Sequence, residues 1–366
     1  MTGARWGMVL ALLVAGSVRG DSVDDAVAAQ MQRRHIPGLA LAIIQDGRII
    51  REQGYGFRNL EKREPVTAAT IFQTASVSKS VAALGALQLV STGRLGLDED
   101  INHFLRSWHV PANRLTRQHP VTLRLIICHR AGLTLPAFSP GYSLGEAVPT
   151  LPQILDGLPP ARNPLVRVDQ PPGKAFRYSG GGYAVMQRAM DDVTGEPFAD
   201  YMARSVLRPL GMMSSTFALE LPEAMKAHAA VGHTGEMPRA LAGGATLYPA
   251  SAAAGLWTTA GDLARFYLGV QKALAGRPGA ALPPALARAM ITDQGDNHGL
   301  GFFVGGTPLR FGHNGLNTGF CAVTIAFESG EGAVILMNAD PDVDAFKNVL
   351  VEAIGRQYHW PGYPSP

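Results

Sequence analysis

Ser76-Val77-Ser78-Lys79 sets a hydroxyl and an amine three residues apart at the head of an apolar run. On a helix, positions i and i+3 share a face, so the amine can reach the hydroxyl. A helix N-terminus also offers unpaired N–H groups and a partial positive charge. Both favour a serine alkoxide and loosen the proton of a neighbouring ammonium. A neutral or proton-sharing Lys79 could then activate Ser76 as a nucleophile. The spacing alone is weak. Sixteen Ser and six Lys in 366 residues give roughly a quarter of a match by chance. An N-capping serine beside a solvated lysine is the plainer alternative. Placement opposes it, because Val81, Ala82, Leu84, Leu87, Leu89 and Val90 leave Lys79 almost no polar face to occupy.

Three other segments carry reactive side chains. Tyr178-Ser179-Gly180 follows Pro171-Pro172-Gly173 and leads through Gly181 and Gly182 into an apolar helix. A tyrosine beside a cationic lysine can ionise below its usual pKa of about 10 and act as a base; a core tyrosine is the alternative. His313-Asn314-Gly315 ends or follows a strand. There Gly315 permits close backbone approach and His313 could bind a carboxylate when protonated. Gly141-Tyr142-Ser143-Leu144-Gly145 matches the G-x-S-x-G nucleophile elbow of α/β-hydrolases. That elbow needs a strand before it and a helix after it, whereas Pro136, Pro140, Pro149 and Pro152 surround this one.

These residues must be positioned by the following elements. Asp21 to His35 has helical spacing, and Gly38 to Gly54 reads as a hairpin turning at Asp46-Gly47. Near the other end, Gly299 to Val304, Leu309 to Gly312, Phe320 to Phe327 and Ala333 to Met337 read as strands, the last two joined at Ser329-Gly330. Asp340 to Tyr358 reads as a closing helix. Residues 76–290 read as a mainly helical insert, with Val77 to Ser91 a buried helix and Leu135 to Pro164 a long surface loop. The fold class expected is α+β: an antiparallel sheet drawn from both chain ends, flanked by helices, with an inserted helical lobe.

Composition narrows the function classes. Lys and Arg number 32 against 29 acids, a net charge of +3, which disfavours a nucleic-acid binder. At 46% hydrophobic and 17% charged the chain can bury a large core. Arg5, the apolar run Trp6 to Ala15 and the small residues Ala15, Ser17 and Gly20 read as an export signal over residues 1–20. Residues 21–366 are then a single domain, periplasmic or secreted, with no integral membrane segment. Cys128 and Cys321 are too few for a disulfide scaffold; two buried thiols are expected, with one disulfide the alternative. The ten His form no recognisable ligand pair, so no metal or other cofactor is expected.

Taken together, these residues resemble the serine β-lactamase and penicillin-binding-protein superfamily. The likeness is to its class C-like branch of β-lactamase-related esterases, D-aminopeptidases and D-Ala-D-Ala carboxypeptidases. Phe72-Gln73-Thr74-Ala75-Ser76-Val77-Ser78-Lys79 resembles the nucleophile segment, and Gly93 to Asp100 the stretch after it. Val121 to Arg124, His129 to Leu133, Pro209 to Met212, Gly255 to Thr259 and Gly312 to Gly315 fit in order and spacing. The resemblance spans about residues 25–355.

It implies that Ser76 is acylated, that Lys79 shares its proton and keeps Tyr178 basic, and that Tyr178 is the general base. It also implies an oxyanion hole from the N–H groups of Ser76 and Leu316, with His313, Gly315 and Gly180 facing the substrate. Two departures bear on the substrate. Gly180 stands where the family's tyrosine motif usually has Asn, and His313 where lactamases usually have Lys. Both disfavour an efficient β-lactamase and favour an esterase or peptidase acting on a small ester, amide or peptide. D-Ala-D-Ala carboxypeptidase, D-aminopeptidase or weak β-lactamase activity at the same site is the alternative. An α/β-hydrolase using Ser143 and a non-catalytic acyl-binding sensor stand behind these. His129 and Arg130 read as scaffold.

Overall fold

In the computed structural model, residues 22–341 and 343–363 are described; the export segment expected over residues 1–20 lies outside them. Strand β1 (Gly38–Gln45) shows how the central sheet is built. Its side chains alternate, so Leu39, Leu41 and Ile43 enter one core and Ala40, Ala42 and Ile44 the other. The chain turns at Asp46-Gly47 into β2 (Arg48–Asn59) and then β3 (Glu64–Pro65). The remaining strands come from the far end: β4 (Phe303–Gly305), β5 (Arg310–Gly312), β6 (Asn314–Asn317), β7 (Phe320–Phe327) and β8 (Gly332–Met337). The order is β4-β5-β7-β8-β1-β2-β3, with β6 also paired to β7. Every pairing is antiparallel, and β1 meets β8 from Leu39↔Met337 to Ile44↔Gly332. The two chain ends therefore share the middle of one sheet.

The helices used below are α1 (Ser22–Arg33), α2 (Ser78–Ser91), α3 (Leu151–Asp156), α4 (Gly180–Thr194), α5 (Ala260–Leu274) and α6 (Val343–Gln357). Helices α1 and α6 cover the face that carries the larger side chains, where Val23, Val27, Phe346 and Leu350 are buried against it. The opposite face carries Ala40, Ala42, Ala322 and Ala326, and this core is continuous with the helical insert. Small side chains let α5 pack on β1, β2 and β8. In α2 the residues from Ser78 to Leu87 are all buried, which explains its apolar sequence. Burying each Val or Leu there contributes roughly 1.5–3 kcal/mol.

Three expectations are refined. Helix α5 lies inside the expected insert 76–290 yet packs on the sheet, because its apolar stripe meets the small-residue face. The segment 135–164 is not wholly irregular. Tyr142–Ser143 pairs with Thr246–Leu247, and α3 is held by a capping box between Thr150 and Gln153. Strand β6, unforeseen, follows His313 directly. Cys128 and Cys321 are free and lie in different cores, one on each side of the sheet, so they do not pair. No helix among the described residues is long and apolar enough to cross a membrane.

Candidate active site

Ser76 sits on a sharp elbow. Phe72–Gln73 pairs with Trp257–Thr258, and the Thr74 N–H donates to Leu256 O at 3.0 Å. Ala75 then takes φ +49°, a left-handed conformation that costs a non-glycine residue about 1 kcal/mol or more. Ala75–Val77 form a 3₁₀ turn, and α2 begins at Ser78, so Ser76 lies just before the helix and not within it. The elbow is pinned where Ser78 Oγ accepts from Leu256 N at 2.9 Å and Ser80 Oγ donates to Gly301 O at 2.5 Å.

Lys79, one turn on, is buried with 2% exposure. Its Nζ lies 3.1 Å from Ser76 Oγ and donates to Ala253 O at 2.7 Å. That carbonyl belongs to the helical turn Ser251–Ala254, which Gln187 of α4 fixes by accepting from Ala252 N at 3.0 Å. The same amine stands 4.9 Å from the Tyr178 ring centroid and 5.6 Å from that of Tyr183. Burial without a carboxylate partner pulls the Lys79 pKa down from 10.5 to about 7. Near pH 7 about half of the amine is then neutral and able to accept a proton.

The Tyr178 phenol is also hydrogen-bonded to the Ser76 side chain. Burial raises the phenol's pKa well above 10, and the Ser76 hydrogen bond only partly offsets this. Burial thus works against the ionised Tyr178 that the family resemblance implies, and the same burial weakens the Lys79 charge that would support it. Burial therefore favours the neutral form of both groups.

His129 holds Tyr178 in place. Its ring packs 4.2 Å from the Tyr178 ring, its Nδ1 accepts from Ser179 N at 3.0 Å, and its carbonyl accepts from Arg177 N at 2.7 Å. Ser179 caps α4, accepting from Gly182 N at 2.9 Å and donating to Thr134 O at 2.7 Å. His298 packs 4.9 Å from His129, and burial pulls its pKa down to about 4. His129 is likewise held neutral by burial. The sequence reads His129 as scaffold and gives no sign that His298 or the Ala253 carbonyl lies here. The carbonyl of Ala253 leaves no mark in side-chain sequence. A histidine in the apolar run before Arg130 was the available signal for His129.

On the sheet side, β6 crosses the elbow. A Cβ added at Gly315 would lie 2.1 Å from Thr74 O and 3.0 Å from Ser76 N, so only glycine permits this approach. Leu316 follows, 55% exposed. Asn317 ties β6 down, its Nδ2 donating to Gln73 Oε1 at 3.0 Å and Ala254 O at 3.2 Å. His313 is buried; its Nδ1 donates to Asn314 O at 2.5 Å and its Nε2 has no partner among the described residues. Burial holds its pKa well below 6.5, with the nearby Lys79 adding to the shift. A neutral imidazole offers a lone pair to a donor and little attraction to a carboxylate.

The structure thus brings Ser76, Lys79, Tyr178, His313 and Gly315 together, with Gly180 opening α4 beside them. It does not bring Ser143. That residue is exposed in a two-residue strand, its N–H donates to Glu146 Oε2 at 2.9 Å, and no helix follows directly. The strand-to-helix turn that exposes a nucleophile is missing.

A family model described as Beta-lactamase matches residues 23–355. Protein flp of Staphylococcus aureus strain N315 is 25% identical over 201 residues, covering 53% of this chain and 38% of that protein. Penicillin-binding protein 4 of Amycolatopsis lactamdurans is 29% identical over 204 residues, covering 56% of this chain and 50% of that one. The chain therefore spans half or less of the length of these curated relatives. Among solved structures, the octameric penicillin-binding protein homologue from Pyrococcus abyssi superposes with a TM-score of 0.75 at 22% identity, over 91% of this chain and 76% of that one. FmtA from Staphylococcus aureus gives 0.73 at 19% identity, over 94% of this chain and 92% of that one. At such identities these two similarities establish the fold.

Proposed function

The chain belongs to the beta-lactamase family, and from that premise we propose that it is a serine hydrolase forming an acyl-enzyme on Ser76, with carboxylic esters as its main substrates. The observation that supports this most is the convergence of two groups of opposite proton affinity on one hydroxyl. Lys79 Nζ lies 3.1 Å from Ser76 Oγ with its pKa lowered to about 7, while the Tyr178 phenol binds the same residue with its pKa raised. In acylation, Ser76 Oγ attacks the ester carbonyl carbon and its proton passes to Lys79 Nζ. The N–H groups of Ser76 and Leu316 take the developing oxyanion, a contribution of about 3–4 kcal/mol for such donors. Tyr178 donates its proton to the departing alkoxide, and Lys79 restores that proton. Water then attacks the acyl carbon, and the transfers run in reverse.

Esters fit better than carboxylate-bearing β-lactams or peptides, because His313 is held neutral and Gly180 offers no amide. D-Ala-D-Ala carboxypeptidase, D-aminopeptidase or weak lactamase turnover at this site is the finer alternative. Comparing p-nitrophenyl butyrate, D-alanine p-nitroanilide and nitrocefin tests it; turnover confined to nitrocefin would reject the ester reading. Fluorophosphonate labelling with peptide mapping tests the nucleophile: label on Ser76 is expected, and label on Ser143 alone would overturn it. Stable labelling of Ser76 with no ester turnover would instead identify an acyl-binding sensor. Export to the periplasm or medium is proposed from residues 1–20 and is tested by locating the mature N-terminus.

A further inference from the structure

Gly180 has no side chain, yet the space beside it is filled. A Cβ there would lie 3.0 Å from Phe138 Cε2 and 3.1 Å from Pro136 O. The segment Pro136–Pro140 runs across this point as a strap fixed at both ends. At one end the Gly180 N–H donates to Pro136 O at 3.1 Å and the Gly181 N–H to Leu135 O at 2.9 Å. At the other, Pro140 O accepts from Tyr248 Oη at 3.2 Å and from Thr318 Oγ1 at 3.1 Å. Thr318 follows β6 directly, so the strap joins the segment bearing Tyr178 to the strand lying on Ser76. Pro136-Ala137-Phe138-Ser139-Pro140 carries no charge, and its two prolines restrict it. Phe138 is half-buried in the middle of it.

We infer that Phe138 is a specificity-determining residue: the strap forms an apolar wall beside Ser76 that takes the hydrocarbon acyl chain of an ester. The strap and any side chain at position 180 compete for one volume. This chain fills that volume with an aromatic ring, and so exchanges a polar contact for an apolar one. A flexible acyl chain lying along the ring gains hydrophobic contact, whereas an acyl group bearing an amide would leave its N–H and C=O without partners there. The inference rests on the serine-hydrolase reading above and extends it to the substrate's acyl half.

The test compares kcat/KM for p-nitrophenyl hexanoate and p-nitrophenyl acetate. Phe138→Ala is expected to lower the hexanoate-to-acetate ratio about tenfold, while Phe138→Leu, which keeps apolar volume, largely retains it. An unchanged ratio, or an equal loss on both esters, would overturn the inference. The steric half is read without activity. Gly180→Asn alone is expected to lower Tm by several degrees, and adding Phe138→Ala to recover most of that loss. Gly180→Asn with wild-type Tm, or no recovery in the double variant, would show that strap and side chain do not compete. Fluorophosphonate labelling of each variant at Ser76 keeps the two readings apart. Lost labelling in the wild type counts against the hydrolase, and intact labelling with unmoved selectivity counts against the wall alone.

Discussion

Ser76 and Ser143 each carry a nucleophile motif in sequence, and their surroundings in the fold differ. Ser143 has the fuller motif, with glycines at both flanking positions, but lies exposed on a two-residue strand. Ser76 has only a lysine three residues on. Around it, however, a strained elbow, a buried amine and a buried phenol converge. A hydroxyl in water near pH 7 is a poor nucleophile whatever its neighbours in sequence. Withdrawal of its surroundings from water is what shifts proton affinities enough to matter. The largest predicted effect follows. Ser76→Ala should reduce p-nitrophenyl butyrate turnover by at least about 10³-fold, while Ser143→Ala stays within about twofold. Comparable losses in both variants would erase the contrast.

The same contrast predicts a pH dependence. If Lys79 must be neutral to accept the serine proton, kcat/KM rises with pH through about 7. Well below that value it should fall toward tenfold per pH unit, about fiftyfold from pH 7 to pH 5. His298, with a pKa of about 4, contributes nothing until lower pH. A profile flat from pH 5 to 8 would mean that a different group takes the proton.

Gly315→Ala probes the elbow's other wall. The new Cβ would press on Thr74 O and the Ser76 amide. Displacing β6 from the elbow should cost activity about 10²-fold, the scale of losing one oxyanion donor. Steady-state kinetics should show this mainly in kcat. Ala substitution at Gly145, in the Ser143 loop with open space around it, should have little effect on turnover.

Much of this was legible because local pattern carried it. The β1–β2 hairpin announces itself through Asp46-Gly47 between apolar runs, β7 through eight consecutive β-favouring or small residues, and α2 through its unbroken apolarity. The convergence of Ser76, Lys79 and Tyr178 was inferred from motif order, since no local rule joins residues so far apart in the chain. What stayed hidden is tertiary. Strand β6, Asn-Gly-Leu-Asn, has little strand propensity and exists because β7 pairs with it and Asn317 is anchored. The burial that raises the Tyr178 proton affinity and lowers that of Lys79 is likewise invisible in sequence. The loop's inner structure, Phe138 against Gly180, depends on which segments meet in space.

The smallest effect tests whether Lys79 is held against its own preference. Its pKa is about 7 when folded and 10.5 in the unfolded chain. Between those values the unfolded state binds more protons than the native one, so this group makes stability rise with pH. Below about 7 both states carry the charge, and the native state bears the full burden of a buried ammonium. Above 10.5 neither does, and the burden is gone. Lys79→Met removes the amine while keeping an unbranched chain of similar length. The variant should be inactive yet more stable than the parent, by a few kcal/mol at most at pH 6. Its advantage should shrink steadily as pH climbs toward 10, because the parent sheds its buried charge. Urea unfolding at pH 6, 8 and 10 measures the difference, and effects of other titrating groups largely cancel between the two proteins. A variant less stable at every pH would mean that the Ala253 and Ser76 contacts outweigh desolvation. Lys79 would then be an ordinary structural residue, closer in kind to the groups around Ser143 than to a proton acceptor.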